Sequence, residues 1–292
     1  MTVDVDRLAQ RLRPAGVVLA RFDADDERLH SAGSAEVGGR FEIGSVTKLF
    51  TCRLLEILAA EAVVGLDEPA VELLGPRWSL GRHVTLRRLA EHEAGLPRLP
   101  RRAWRAMLRN PEDPYSDLTV EDLRRSLPPW LPRSRSFRYS NFGAALLGHA
   151  LAARTGKPWP DLVRERISRP LGLNDTDVDG PVAQPHSEGG KPVPPWTMAV
   201  IEGAGALRST AGDLIRFVRA GAPALGWLRE DAIRWHNGGT GGSAAFVGWH
   251  DATGRGVVLL ANAAVADELT QLGLGLLEDD RRPSPDWSPL AG

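Results

Sequence analysis

Apolar and polar residues alternate along this chain in two different periods. Over residues 3–12 the apolar positions Val5, Leu8 and Leu12 recur at helical spacing and predict an amphipathic helix. Short apolar runs at 17–20 and 28–32, on either side of the acidic turn Asp23-Ala24-Asp25-Asp26, predict two strands, with a third near 40–43. Gly44 breaks the pattern. Residues 45–64 then read as one long apolar helix ending at Gly65, with Pro69 beyond it, which places Ser45 at a helix N-terminus.

From 66 to 205 the pattern fragments into short helical pieces cut by prolines, among them Pro128-Pro129 and Lys191-Pro192-Val193-Pro194-Pro195. The last third returns to mixed structure, with a helix near 210–220, strands near 244–250 and 257–262, and a closing helix from about 264 to 277. The expected organisation is a discontinuous sheet domain, 1–65 with 206–278, interrupted by a mainly helical insertion, 66–205. A tail over 279–292, rich in proline and charge, is expected to be flexible. No internal repeat at solenoid periods is present.

Composition narrows the classes. A chain of 292 residues with 42% hydrophobic and 25% charged residues can bury a large core. A formal net charge of -1 supplies no global field for a nucleic acid or an anionic membrane, so neither is expected as a partner. A single cysteine, Cys52, rules out a disulfide framework and reads as a small buried hydrophobe. The acidic start and the short first apolar stretch, 15–20, lack the pattern of an export signal, and no run spans a membrane, so a cytoplasmic location is expected.

Of 36 Lys+Arg residues only Lys48, Lys157 and Lys191 are lysines, which leaves 33 arginines. Each lysine kept against such a bias is a candidate position for an amine that must be able to lose its proton, which guanidinium cannot do. The two tyrosines, Tyr115 and Tyr139, are equally scarce.

Ser45-Val46-Thr47-Lys48 sets a hydroxyl and an amine three residues apart, on one face if both are helical. That is the spacing of a nucleophile and its base, and also of a helix cap beside an exposed lysine. An unperturbed lysine is neutral in roughly one molecule in 2,500 at pH 7, so Lys48 serves only if burial or a second cation lowers its pKa. Tyr139-Ser140-Asn141 lies at a loop-to-helix junction, where a phenol can relay a proton and a carboxamide can bind a substrate amide or orient Lys48. Tyr115-Ser116-Asp117 lacks the carboxamide and reads as a decoy. The run His236-Asn237-Gly238-Gly239-Thr240-Gly241-Gly242 is either a glycine-rich turn or a strand edge stripped of side chains, open to a substrate backbone and able to lend an N–H to an oxyanion.

Other chemistries find no support. His92-Glu93-Ala94-Gly95-Leu96 has leucine where a zinc helix needs its second histidine, and no serine carries a Gly-x-Ser-x-Gly elbow. No metal and no cofactor are expected.

In this order and at this spacing, the three elements resemble the serine β-lactamase and penicillin-binding-protein superfamily, most of all its class C branch and the related esterases. Gly65-Leu66-Asp67-Glu68-Pro69, the segment from Leu89 to Pro97, Pro170-Leu171-Gly172-Leu173 and the segment from Gly203 to Leu214 extend the resemblance over about residues 16–278. It implies an α/β fold, an antiparallel sheet flanked by N- and C-terminal helices with an inserted helical domain. It also implies Ser45 as acylated nucleophile, Lys48 as its basic partner and Tyr139 as the second-motif tyrosine. Asn141, His236, Asn237, Gly238 and Gly239 become substrate or oxyanion positions, with the oxyanion held by the N–H groups of Ser45 and Gly239. His236 stands where the family usually has lysine, which weakens the grip on a β-lactam carboxylate. The segment between Tyr139 and His236 is short for a class C enzyme. The implied function is acyl-enzyme hydrolysis or transfer on a small-molecule ester, amide or lactam. Antibiotic or D-alanyl peptide hydrolysis is the alternative within the family, and a non-catalytic ligand-binding member of the fold is the alternative outside it.

Overall fold

The computed structural model describes residues 5–110, 112–133 and 135–279, so residues 280–292 of the expected flexible tail lie outside the described residues. Chain order begins with helix α1 (Val5–Arg11), the hairpin β1 (Val17–Phe22) and β2 (Glu27–Ala32), and the short strand β3 (Phe41–Glu42). A 3-10 turn, Gly44–Val46, leads into α2 (Thr47–Ala60). The helical region follows as α3 (Ala70–Leu74), α4 (Leu86–Ala90), α5 (Arg101–Arg109), α6 (Val120–Arg125), α7 (Asn141–Thr155), α8 (Trp159–Val163), α9 (Arg169–Leu171) and α10 (Glu202–Gly205). The chain then returns through β4 (Arg208–Ser209) and α11 (Ala211–Gly221) to β5 (Leu228–Glu230), β6 (Ile233–Gly239), β7 (Ala244–His250), β8 (Arg255–Ala261) and α12 (Ala266–Asp279).

Among the described residues the main sheet runs in the order β2-β1-β8-β7-β6-β5, every neighbouring pair antiparallel. The central strands are apolar on both faces because both faces are covered. Val17 and Leu19 of β1 pack with Phe246, Val257 and Leu259 under α1 and α12, whereas Val18, Ala20 and Phe22 join Val247, Val258 and Leu260 in the larger core shared with α2, α7 and α11. The two-residue period of a strand divides its side chains between these two cores. At about 0.8 kcal/mol per buried methylene, this double burial is the main force holding the sheet.

One expectation is corrected and one open alternative is resolved. The helix expected over 45–64 is a 3-10 turn followed by an α-helix that stops at Ala60, because Ala62 turns the chain at φ 57 before Gly65 is reached. Ser45 therefore precedes the α-helix instead of opening it. The stretch before Gly239, whose strand or turn character the residues left open, is strand β6, hydrogen-bonded to β7 from Ile233 to Gly239. On its other side β5 reaches only Ile233 to Trp235. Among the described residues, the edge from His236 to Gly239 on that side carries no strand.

Candidate active site

Gly44 turns the chain at φ 47 and delivers Ser45 against the end of β6. The approach is close enough to demand glycine on both sides. A Cβ on Gly238 would lie 1.9 Å from the Ile43 carbonyl oxygen and 2.8 Å from Ser45 N, and one on Gly44 would lie 2.7 Å from Gly239 N. These contacts bring the backbone amides of Ser45 and Gly239 to one locus, beside the bare edge of β6.

Lys48 follows one turn later and is 2% exposed. Its Nζ lies 2.7 Å from Ser45 Oγ and donates to the Ala204 carbonyl at 2.7 Å. Burial holds the Lys48 pKa well below that of a free lysine, and the Arg98 guanidinium pushes in the same direction. A neutral amine at this distance can accept the Ser45 proton.

Tyr139 is half-buried, with Lys48 Nζ 5.1 Å from its ring centroid and its hydroxyl hydrogen-bonded to Ser45. Burial pushes its phenol up to about 12, so at neutral pH it is a proton donor. The residues on either side of it are pinned to His92. Arg138 N donates to the His92 carbonyl at 2.8 Å, and Ser140 N donates to His92 Nδ1 at 3.2 Å. His92 itself sits at φ 60, rare for a residue with a Cβ, and its ring centroid lies 4.6 Å from that of Tyr139. Ser140 caps α7 by accepting from Gly143 N at 2.8 Å and donates to the Pro97 carbonyl at 2.7 Å. The loop-to-helix junction is thus a rigid mount for Tyr139.

Ser45, Tyr139, Asn141, Asn237, Gly238 and Gly239 share the wall of one cleft of about 390 Å³. The side chain of Asn141 meets the Tyr115 hydroxyl, and its buried Oδ1 has no hydrogen-bond partner among the described residues. Lys48 is oriented by Ala204, not by Asn141. Asn237 turns its amide away to Thr270 Oγ1 at 2.9 Å and contributes backbone to the cleft. His236 is fully buried under Tyr139, with ring centroids 6.2 Å apart, instead of lining the wall. Its Nδ1 contacts the Asn237 carbonyl at 2.7 Å, and burial together with Lys48 holds its pKa near 3. It is a neutral ring, and supplies no cation.

Three residues of the site escaped the sequence reading. Tyr115, set aside as a decoy, is buried in the cleft wall against Asn141 and meets Trp196 edge to face at 5.3 Å. His92 clamps Tyr139. Arg98, exposed in the wall, lies 5.4 Å from the Tyr139 ring centroid, while its carbonyl accepts Asn141 N at 2.9 Å. Arg98 and Asp267 are the charged side chains of the described wall. None of the three carried a signal that set it apart in the sequence. Beneath the cleft, buried Glu42 accepts from Trp196 N at 2.7 Å, Thr240 Oγ1 at 3.0 Å and Ser243 Oγ at 3.2 Å, tying the turn after β6 to β3.

The Beta-lactamase family model matches residues 5–235, ending one residue before His236. D-alanyl-D-alanine-carboxypeptidase/endopeptidase AmpH of Escherichia coli (strain K12) is 30% identical over 243 residues, covering 74% of this chain and 60% of AmpH. A Beta-lactamase of Pseudomonas fluorescens is 31% identical over 189 residues, covering 61% of this chain and 49% of that protein. The chain therefore spans about half the length of the curated relatives it matches. Among solved structures, a D-stereospecific amidohydrolase from Streptomyces sp. superposes with a TM-score of 0.77 at 23% identity, covering 92% of this chain and 95% of that one. A class C beta lactamase gives 0.78 at 18% identity, covering 94% and 96%. The match takes in the turn that carries Ser45, the Tyr139 junction and the helical region between the two parts of the sheet, and the chain belongs to the beta-lactamase family, within the serine β-lactamase and penicillin-binding-protein superfamily.

Proposed function

We propose that the chain is a serine acyl-transfer hydrolase acting on a small ester or amide. The observation that carries this is the buried amine of Lys48, 2.7 Å from Ser45 Oγ, whose pKa burial and the nearby Arg98 guanidinium hold well below that of a free lysine. Ser45 Oγ attacks the substrate carbonyl carbon as its proton passes to Lys48 Nζ, and the carbonyl oxygen becomes an oxyanion between the N–H groups of Ser45 and Gly239. Collapse breaks the bond to the leaving group, which takes a proton from the Tyr139 hydroxyl. The proton held on Lys48 then restores the phenol. Water repeats the sequence on the acyl-Ser45 ester, losing a proton to Lys48 and releasing the acid, or another nucleophile takes the acyl group in its place.

The relatives guide the choice of substrate. AmpH and a D-aminopeptidase of Cereibacter sphaeroides, 28% identical over 209 residues, are named for amide hydrolysis, as is the Streptomyces amidohydrolase. Amides of D-amino acids therefore stand beside p-nitrophenyl esters as the first class to assay. A second reading, hydrolysis of a β-lactam or a D-alanyl peptide, is favoured by Arg98, a cation in the wall where His236 provides none. Nitrocefin separates the two readings. Replacing Lys48 by Arg leaves a cation that cannot give up its proton and so removes the base. Turnover of the ester and amide panel is expected to fall about 10³-fold with the thermal melt retained, and full activity in Lys48→Arg would remove the amine from the mechanism.

A further inference from the structure

The net charge of -1 conceals an uneven distribution. Between Arg98 and Arg138 the chain carries ten arginines against five acidic residues, and the same segment supplies Trp104, Leu108, Val120, Trp130 and Phe137, five of the six large hydrophobics exposed among the described residues. Helix α5 gathers both features on one side. Its inner face buries Ala103 and turns Met107 to the cleft, while Trp104 and Leu108, four residues apart, stand 56% and 86% exposed. On the helical wheel Arg101, Arg105 and Arg109 form the stripe adjoining this apolar pair, and no acidic side chain among the described residues pairs with them. Asp113, Asp117 and Asp122 share a groove with Arg105 and Arg109; of these acids, Asp122 pairs with Arg102 of α5 at 2.9 Å and Asp113 accepts from Thr197 N at 3.0 Å.

We infer that the outer face of α5 docks on an anionic phospholipid surface, with Trp104 and Leu108 entering the headgroup boundary and Arg101, Arg105 and Arg109 meeting phosphates. An amphipathic helix with arginine beside tryptophan and leucine fits the interface plane of a bilayer. Charge selects this occupant over a second copy of the chain, because a two-fold contact would set the arginine stripe against itself. The inner face of the same helix lines the cleft through Met107, so docking brings the cleft mouth to the membrane surface.

Co-sedimentation with phosphatidylcholine vesicles, with and without phosphatidylglycerol, tests the proposal. Binding is expected only with phosphatidylglycerol and is expected to weaken as salt rises. The triple variant Arg101→Gln, Arg105→Gln, Arg109→Gln is expected to lose roughly a hundredfold in partitioning, and Trp104→Ser with Leu108→Ser about tenfold, both with the wild-type melting temperature. Absence of binding to phosphatidylglycerol vesicles, binding that neither variant changes, or self-association of the wild type through this face would overturn it.

Discussion

Lys48 and Arg98 illustrate how single side chains set the charge state of the site. Lys48 is stripped of solvent, and Arg98 adds a positive charge that disfavours a second one on the amine. Removing Arg98 therefore raises the Lys48 pKa, so more of the amine is protonated at a given pH. In Arg98→Gln the acidic limb of kcat/KM is expected to move to higher pH while Arg98→Lys keeps it in place, as a pH series on one neutral ester would read. An unmoved limb would show that Arg98 is only a wall residue. Ser45, Lys48 and Tyr139 were legible in the sequence because lysine and tyrosine are so scarce here. Tyr115, Arg98 and His92 were not. Their roles arise from packing between segments, as when the His92 ring reaches Ser140 N across 48 positions of chain.

Among the elements, the junction of the Gly44–Val46 turn with β6 is the least tolerant of change. Gly238 abuts the Ile43 carbonyl and Ser45 N, both backbone, so an added methyl has no flexible neighbour to displace. Gly238→Ala is expected to cost about 3 kcal/mol in denaturant unfolding and to abolish turnover, because relief of the clash moves Ser45 from the β6 edge. A stable and active Gly238→Ala protein would mean that the approach is looser than described. The apolar strands β1, β7 and β8 announced themselves by their runs of hydrophobic residues, since they are covered on both faces. Strand β6 was ambiguous because Ile233-Arg234-Trp235-His236-Asn237-Gly238-Gly239 mixes charge, rings and glycine, and its pairing with β7 decides the matter. The break between the Gly44–Val46 turn and α2 had no signal beyond Gly44.

At the scale of the whole molecule, the strands of the main sheet come from residues 17–32 and 228–261, β3 and β4 pair in a separate two-stranded sheet, and α3 to α10 lie between β3 and β4 in the chain. We propose that 66–205 is an insertion into a sheet unit made of 1–65 and 206–278. Apolar packing runs on from α2 through α7 to α11, which couples the two parts. No helix among the described residues is long and apolar enough to cross a membrane.

Two buried neutral histidines at the centre tie stability to pH. His92 and His236 are both held near pKa 3 by burial, Lys48 adding to the effect. The unfolded chain takes up these protons below about pH 6.5, and the folded chain does not. Their contribution is thus complete above 6.5 and is lost as the pH falls from 6.5 toward 3, by up to about 1.4 kcal/mol per pH unit for each ring. Denaturant titrations at pH 7 and pH 5 are expected to show this loss, with a shallower slope in His236→Asn. Equal stability at both pH values would mean that the rings take up protons in the fold as readily as in the unfolded chain.

Acylation of Ser45 tests the central claim most directly. Intact mass spectrometry after exposure to a p-nitrophenyl ester or a fluorophosphonate is expected to show one adduct per chain, mapped to the peptide that carries Ser45. It should be absent in Ser45→Ala and strongly slowed in Lys48→Arg. An unmodified wild-type chain, or an adduct that persists in Ser45→Ala, would contradict the account.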